Sequence, residues 1–266
     1  MSAKLLISLC VALVACSSAH AQSNAKRPFT FEDMMKLKRV GAPVPSPDGK
    51  WVVFDAVDVD LEANTKISHL WIVSAQGGDS RRLNQTPNHE ERPRFSPDGK
   101  KLIWTSKATD PSQIWMCNFT PESGGLDGQA HQVTNNSTGA DGAIWSPDGK
   151  NVVFLSSVYP EAKSDAENKQ RDEELGKSNV KAKIFTKLLY RHWNAYGENK
   201  RSHLFAVSAD ANVSVGRSSS VGRDSVEPGS TAATPPSGST ESRPSNAEPR
   251  DLTPGDHDVP PFNLGG

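Results

Sequence analysis

The pentapeptide Ser-Pro-Asp-Gly-Lys stands three times in this chain, at 46–50, 96–100 and 146–150, each copy 50 residues after the last. A fixed period of that length marks a repeat architecture. Each repeat is one supersecondary unit that cannot bury its own apolar face and has to stack on a neighbour. The pentapeptide itself dictates a chain reversal. Proline sets φ for the second position of a type I turn, aspartate suits the third, and glycine takes the left-handed conformation that follows. Such a turn joins two antiparallel strands.

The flanks have the composition of buried strands. Arg94-Phe95 and Ile144-Trp145 precede the second and third turns. Trp51-Val52-Val53-Phe54, Leu102-Ile103-Trp104 and Val152-Val153-Phe154-Leu155 follow the three turns, short runs of β-branched and aromatic residues. Each repeat then holds a second hairpin. The run 69–74 (HLWIVS) meets a Gln76-Gly77-Gly78-Asp79 turn and then Arg81-Arg82-Leu83. The run 113–119 is followed by glycines and His131-Gln132-Val133, and 203–208 (HLFAVS) much later by Arg250-Asp251-Leu252-Thr253. Four strands per unit of about 50 residues make the blade of a β-propeller. The predicted blades span about 41–90, 91–140 and 141–257 of the segment 41–266. Propellers close with roughly four to eight blades, so three leave edge strands and apolar blade faces uncovered. The residues from Pro260 to Gly266 read as the approach to another blade. The expectation is a piece of a longer protein, with closure by oligomerisation as the alternative.

Outside the blades the chain changes character. Lys4, the apolar run from Leu5 to Cys16 and Ala19-His20-Ala21 have the order of a signal peptide over 1–21, cleaved before Gln22. Leu13-Val14-Ala15-Cys16 also fits a lipoprotein signal ending at 15, with Cys16 acylated as the new N-terminus. Both readings place the protein outside the cytoplasm, secreted or periplasmic in one case and lipid-anchored at an outer membrane in the other. No later run has the roughly 18 apolar residues of a membrane helix. Cys10 and Cys16 fall in the leader, so Cys117, in a strand-like run, is expected to be a buried thiol without a disulfide. A lead-in follows over 22–40, where Thr30 and Asp33 form a capping box for a short helix. The third blade carries an insertion over 158–200. Its charged half (161–183) reads as a solvated helix or a mobile loop, and its second half holds Tyr190-Arg191-His192-Trp193-Asn194-Ala195-Tyr196. Residues 211–248, rich in Ser, Pro, Gly and Thr, lack the apolar surface to offset their ordering entropy and are expected to be disordered.

With 30 basic and 31 acidic residues, a formal net charge of -1 gives no global field toward nucleic acid, and no nucleic-acid partner is expected. The seven histidines show no H-E-x-x-H spacing, so neither a metal nor a cofactor is expected. Asp48, Asp98 and Asp148 repeat because the turn needs them, not as calcium ligands.

The leader, the lead-in Phe29-Thr30-Phe31-Glu32-Asp33-Met34, the three turns, the insertion ending Tyr190-Arg191-His192-Trp193, and Asp251-Leu252-Thr253-Pro254-Gly255-Asp256 come in a recognisable order. Together they resemble the propeller of bacterial secreted serine peptidases of the prolyl oligopeptidase family, similar to acylaminoacyl and dipeptidyl peptidases. The turn alone is shared with TolB. The implied fold is all-β: a β-propeller of WD40-like, TolB-type four-stranded blades with a short N-terminal helix and a partly helical insertion. The resemblance implies a following α/β-hydrolase domain with a Ser nucleophile on a G-x-S-x-G elbow, then Asp and His. No G-x-S-x-G occurs here; Gly216-Arg217-Ser218-Ser219-Ser220-Val221-Gly222 has the wrong spacing. No catalytic residue is therefore assigned, and the implied role is to gate an active site that acts on short peptides. The alternative is a TolB-like propeller that binds protein partners without catalysis. Arg191, His192, Trp193 and Glu198 are the candidates for facing a peptide, by pairing with a terminus or carbonyl and packing a side chain. The same cluster could instead dock the insertion on the blade rim. Glu173 and Glu174, a pair that holds an α-amino group in some relatives, read here as a solvated helix face.

Overall fold

The computed structural model describes residues 27–180, 182, 185, 191–192, 195–196, 199–212 and 248–259. Residues 1–37 and 38–266 form separate units. The described part of the first unit is helix α1 (Phe31–Lys36), closed by the expected capping box. Thr30 Oγ1 accepts from Asp33 N at 3.3 Å, and the Asp33 carboxylate accepts from Thr30 N at 3.0 Å.

The second unit is a stack of three antiparallel sheets. In the first, β1 (Arg39–Val40) and β2 (Val44–Pro45) together edge β3 (Trp51–Asp60), followed by β4 (Thr65–Ser74) and β5 (Arg81–Arg82). The second runs β6 (Glu90–Phe95), β7 (Lys101–Ser106), β8 (Gln113–Thr120) and β9 (Gly125–Gln132). The third begins with β10 (Asp141–Trp145) and β11 (Asn151–Val158). Helix α2 (Asp165–Lys177) and a small hairpin, β12 (Arg191–His192) with β13 (Ala195–Tyr196), intervene before β14 (Arg201–Ser208) and β15 (Arg250–Asp251) complete that sheet. Each sheet is a blade, its inner strand leading into a Ser-Pro-Asp-Gly-Lys turn.

The three turns are nearly superimposable in their chemistry. Gly49, Gly99 and Gly149 have φ of 70°, 70° and 69°, and each glycine N–H donates to the carbonyl of its serine at 2.9 Å. Each serine hydroxyl donates to the aspartate at 2.6 Å. The same carboxylate oxygen accepts from Lys50, Lys100 or Lys150 N at 3.2, 3.0 and 3.1 Å. These bonds, the serine hydroxyl first, hold all three carboxyls below their ordinary range. The aspartates are therefore used inside their own turns. Successive turns also stack: a Cβ at Gly99 would stand 3.4 Å from Pro47, and one at Gly149 3.6 Å from Pro97.

The inner strands depart from regular pairing at one shared place. In β6 the register slips between Glu91 and Arg94, and in β10 between Asp141 and Ile144, with Arg92 and Gly142 left-handed at φ 57° and 62°. These are β-bulges, one extra residue on the bent strand. In the first blade the break between β1 and β2 plays the same part: Gly41 N–H donates to Asp55 O at 2.7 Å, and a Cβ on Gly41 would lie 2.4 Å from the Asp55 carboxylate. Each later bulge is tied to the blade before it. Arg92 N–H donates to Asp55 Oδ1 at 3.3 Å, and Thr105 Oγ1 donates to Asp141 Oδ1 at 3.0 Å.

Alternation along the strands fills the two spaces between blades. Val53, Leu70 and Ile72 meet Phe95, Leu102, Trp104 and Phe119 in the first, where Phe95 and Phe119 pack edge to face at 4.9 Å. Ile103, Ile114 and Met116 meet Val152, Phe154 and Val207 in the second. The middle blade is covered on both faces. Within the three described sheets the outer blades have a neighbour on one face only. Val52 opposite Val73 and Phe54 opposite Trp71 alternate with the core residues of β3 and β4 and stay half-buried. Leu155 opposite Leu204 does the same on the third blade. This is the partial propeller expected from the sequence.

A further repeat, invisible as a motif, lies at one register position of β4, β8 and β14. His69, Gln113 and His203 occupy equivalent positions and are all buried. Each fastens the chain just beyond its blade's last strand. Arg82 joins His69 Nδ1 at 3.0 Å and Thr86 O at 2.7 Å. Gln113 donates to Asn136 O at 2.7 Å and accepts from Thr134 Oγ1 at 2.8 Å. His203 stands between the Asp251 carboxylate, at 2.7 Å, and the Gly255 carbonyl, at 2.9 Å.

Candidate functional site

The insertion of the third blade starts as a fixed helix. Ser164 caps α2 by accepting from Glu167 N at 3.3 Å. The helix has no apolar stripe; its one buried residue is Asn168, which accepts from Tyr159 N at 2.9 Å. Tyr159 is the hub of the docking. Its hydroxyl donates to Asp172 at 2.9 Å, while the charged ends of Arg171 and Lys200 lie over its ring at 4.9 and 5.2 Å. Lys200 pairs with Asp172 at 2.8 Å. Ser137 N–H donates to Asp165 Oδ1 at 2.9 Å, tying the helix start to the chain between blades two and three. Glu173 and Glu174 are exposed on this helix; Lys177 donates to Glu173 at 3.4 Å and Gln170 to Glu174 at 2.8 Å. The solvated-face reading of that pair fits this placement.

Of the residues singled out for a peptide, the backbones of Arg191 and His192 form β12, opposite Tyr196 and Ala195. Their side chains, and all of Trp193 and Glu198, lie outside the described residues, as does Cys16. The described neighbour Tyr196 is half exposed and stacks on Phe185 with ring centroids 5.8 Å apart. Among the described residues no group of three or more His, Cys, Asp or Glu is placed to hold a metal. Cys117 is buried and free, and burial pushes its thiol above the ordinary range, away from reactivity.

Two cavities flank the blades. One of about 440 Å³ lies where the insertion leaves the third blade, lined by Asn136, Val158, Ser164, Asn168, Phe205 and Asp251 among others. The second, about 320 Å³, lies between the connection 83–88 and the second blade. Its walls include Glu90, Asn84, Thr86, Trp104 and Trp115. Glu90 is 2% exposed and accepts from Trp104 Nε1 at 3.2 Å. The Asn84 and Thr86 side chains hydrogen-bond the same carboxyl. Burial raises the Glu90 carboxyl; Asn84, Thr86, Trp104 and the charge of Arg82 offset this in part. The sequence places Trp104 in a buried strand run and assigns none of these residues a site role. Its one available signal was an acid, Glu90, opening an inner strand that is otherwise packed.

Three stacked blades, each built around the repeated turn, define a partial β-propeller. Its relatives among known proteins are peptidases and TolB. No family model matches the chain. It is 27% identical over 187 residues to dipeptidyl-peptidase 5 of Porphyromonas endodontalis, covering 70% of this chain and 25% of that one. It is 27% identical over 203 residues to dipeptidyl-peptidase 5 of Porphyromonas gingivalis, covering 76% of this chain and 28% of that one. Over 63 residues it is 38% identical to the Tol-Pal system protein TolB of Bordetella pertussis, covering 23% of this chain and 13% of that one. The chain thus spans about a quarter of the length of the dipeptidyl-peptidase relatives. Homology to dipeptidyl-peptidase 5 agrees with an N-terminal propeller of a prolyl oligopeptidase family peptidase. No helix among the described residues is long and apolar enough to cross a membrane.

Proposed function

We propose that this chain is the propeller segment of an exported serine peptidase acting on short peptides. In this reading the propeller gates an α/β-hydrolase active site that the chain does not itself supply. The observation that carries the reading is the similarity to dipeptidyl-peptidase 5 across 70% of the chain, which runs through the blades rather than through one turn. Arg191, His192, Trp193 and Glu198, in the second half of the insertion, are the residues assigned to the peptide. With no G-x-S-x-G in the sequence, the chain alone is expected to hydrolyse no dipeptidyl substrate. Export rests on the leader: a mature N-terminus at Gln22 makes the protein periplasmic or secreted, and an acylated Cys16 makes it a lipoprotein. Mass analysis of the mature N-terminus separates the two.

The similarity to TolB favours a second reading, a propeller that binds protein partners and has no enzymatic activity. The gene past Gly266 decides. Further Ser-Pro-Asp-Gly repeats followed by G-x-S-x-G, and later Asp and His, are the expected result. A stop codon within a few blades, with no elbow, overturns the peptidase reading and leaves the binding propeller.

A further inference from the structure

The position shared by His69, Gln113 and His203 makes opposite demands on a proton in the first and third blades. A guanidinium can only donate. The Arg82 Nη2 that joins His69 Nδ1 at 3.0 Å therefore needs that nitrogen bare. In the third blade both partners are acceptors. His203 Nδ1 meets the Asp251 carboxylate at 2.7 Å, and Nε2 meets the Gly255 carbonyl at 2.9 Å. A neutral imidazole has one N–H and can serve one of them; only the doubly protonated ring serves both. Water gives little relief, since His69 and His203 are 8% and 2% exposed. In the second blade Gln113 does the same job with a side chain that does not titrate.

The surroundings of the two rings differ in the same way. Burial, then Arg82, lowers His69 from its ordinary value, with Lys38 and His89 adding to this and Asp58 opposing it. His89 itself accepts from Ser68 N at 3.2 Å and lies 3.4 Å from Glu91. Beside Asp251, the segment carrying Gly255 brings three titratable groups to the third blade. They are His257, its ring centroid 6.1 Å from that of His203, Asp256, which pairs with Arg201, and Asp258, which accepts from Ser202 N. The partner strands place uncharged residues, Ala56 and Ser156, opposite the two rings. We propose that His69 and His203 are proton-operated fasteners of opposite sense: acid releases the connection after blade one, and alkali releases the connection after blade three. The contribution of His69 is present above the ordinary imidazole value and is lost as pH falls through the folded value. At His203 the second ring proton makes the bond to Gly255, so that bond is lost as pH rises and the proton leaves. This inference does not rest on the peptidase reading.

Three backbone amides report on the three blades separately. Leu83, Val133 and Leu252 N–H donate to Leu70, Ile114 and Leu204 O at 2.9, 2.8 and 2.8 Å, and each acceptor is one residue past the fastening side chain. The test follows hydrogen exchange of these amides in the full chain between about pH 5 and about pH 8, corrected for intrinsic rates. Ring-nitrogen NMR of the histidines, which tells a bare nitrogen from a protonated one, accompanies it. The expected result is at least about tenfold more frequent opening of Leu83 at the acid end and of Leu252 at the alkaline end, with Val133 unchanged, a tenfold change in an equilibrium corresponding to one unit of titration. At the acid end both His203 nitrogens are protonated, and at the alkaline end His69 Nδ1 is bare. His69→Gln and His203→Gln each abolish the pH response at their own amide and leave the other in place. Leu83 and Leu252 moving in the same sense, all three amides moving together, a bare His203 nitrogen at the acid end, or a response that persists in the variants and so belongs to His89 or His257 overturns the proposal. If either variant fails to fold, the ring signals and the three amides of the unaltered protein still decide.

Discussion

At the scale of single residues, the same glycine conformation carries different costs in different surroundings. A Cβ on Gly49 meets nothing within 4 Å, so Gly49→Ala bears only the left-handed backbone term at φ 70°, about 1–2 kcal/mol. Gly124 has φ 67°, and a Cβ there would sit 2.5 Å from the Trp51 ring, whose Nε1 donates to Pro121 O at 2.7 Å. Gly124→Ala has to move that indole and is expected to cost roughly 3 kcal/mol or more, adding overpacking and a lost hydrogen bond to the backbone term. Urea denaturation of the two variants measures the difference, and equal midpoints would refute it. Glu90 gives a pH signature. Burial raises its carboxyl above the ordinary 4.5, so the folded state keeps the proton to higher pH than the unfolded chain does. Its contribution to stability is full below the ordinary value and is lost as pH rises through the folded value. Glu90→Gln should therefore gain stability relative to the parent chain as pH rises from about 4 to 7. A constant difference across that range would show that the carboxyl is not perturbed.

At the scale of elements, helix α2 is held by its partners rather than by its own sequence. A polar helix of 13 residues is marginal alone, since helices gain most of their stability from packing an apolar face. Tyr159→Phe removes the hydroxyl that donates to Asp172 and leaves the ring under Arg171 and Lys200. Losing about 1 kcal/mol raises the local opening equilibrium roughly fivefold. Amide exchange across 165–177 should quicken by about that factor while the strands of the blades stay protected. Exchange that quickens everywhere would place Tyr159 in the global core instead. The strands themselves were legible in the sequence, because β-branched and aromatic runs around a turn of fixed conformation leave few alternatives. The bulges were not. Gly142 suits its left-handed site, but Arg92 fills the equivalent site in the second blade, and nothing in its sequence marks the slip. The fastening at His69, Gln113 and His203 also escaped notice, because three different side chains do one job through partners that differ from blade to blade. The choice between helix and mobile loop for the charged stretch was open in the sequence; Ser164, Asn168 and Tyr159 decide it for 165–177.

At the scale of the whole molecule, the stack has one kind of residue facing inward and the same kind facing out at both ends. Phe154, fully buried, packs against Phe205 at 5.7 Å, so Phe154→Ala should cost about 3–5 kcal/mol. Leu155, its neighbour in β11, lies on the uncovered face. Leu155→Gln should shift the stability of this chain by no more than about 1 kcal/mol, and by several-fold more in a longer chain whose next blade covers that face. Denaturation of the variants in both contexts tests this; a large loss in the short chain would mean the face is already covered. The candidate site was less legible than the fold for a related reason. Glu90 and its neighbours come from the connection after blade one and from three strands of blade two, and only the folded blade brings them to one cavity. The contiguity of each blade has a consequence for descent. The four strands of the middle blade all come from 90–132, with none borrowed from a neighbour. Because the same five amino acids recur every 50 positions, an unequal crossover between two copies would cut in a turn, never in a strand. It would join the inner strand of one blade to the outer strands of another and leave every blade whole. Gene length in this lineage can therefore change in steps of one blade, and blade number is a variable that recombination can sample without first unfolding the product.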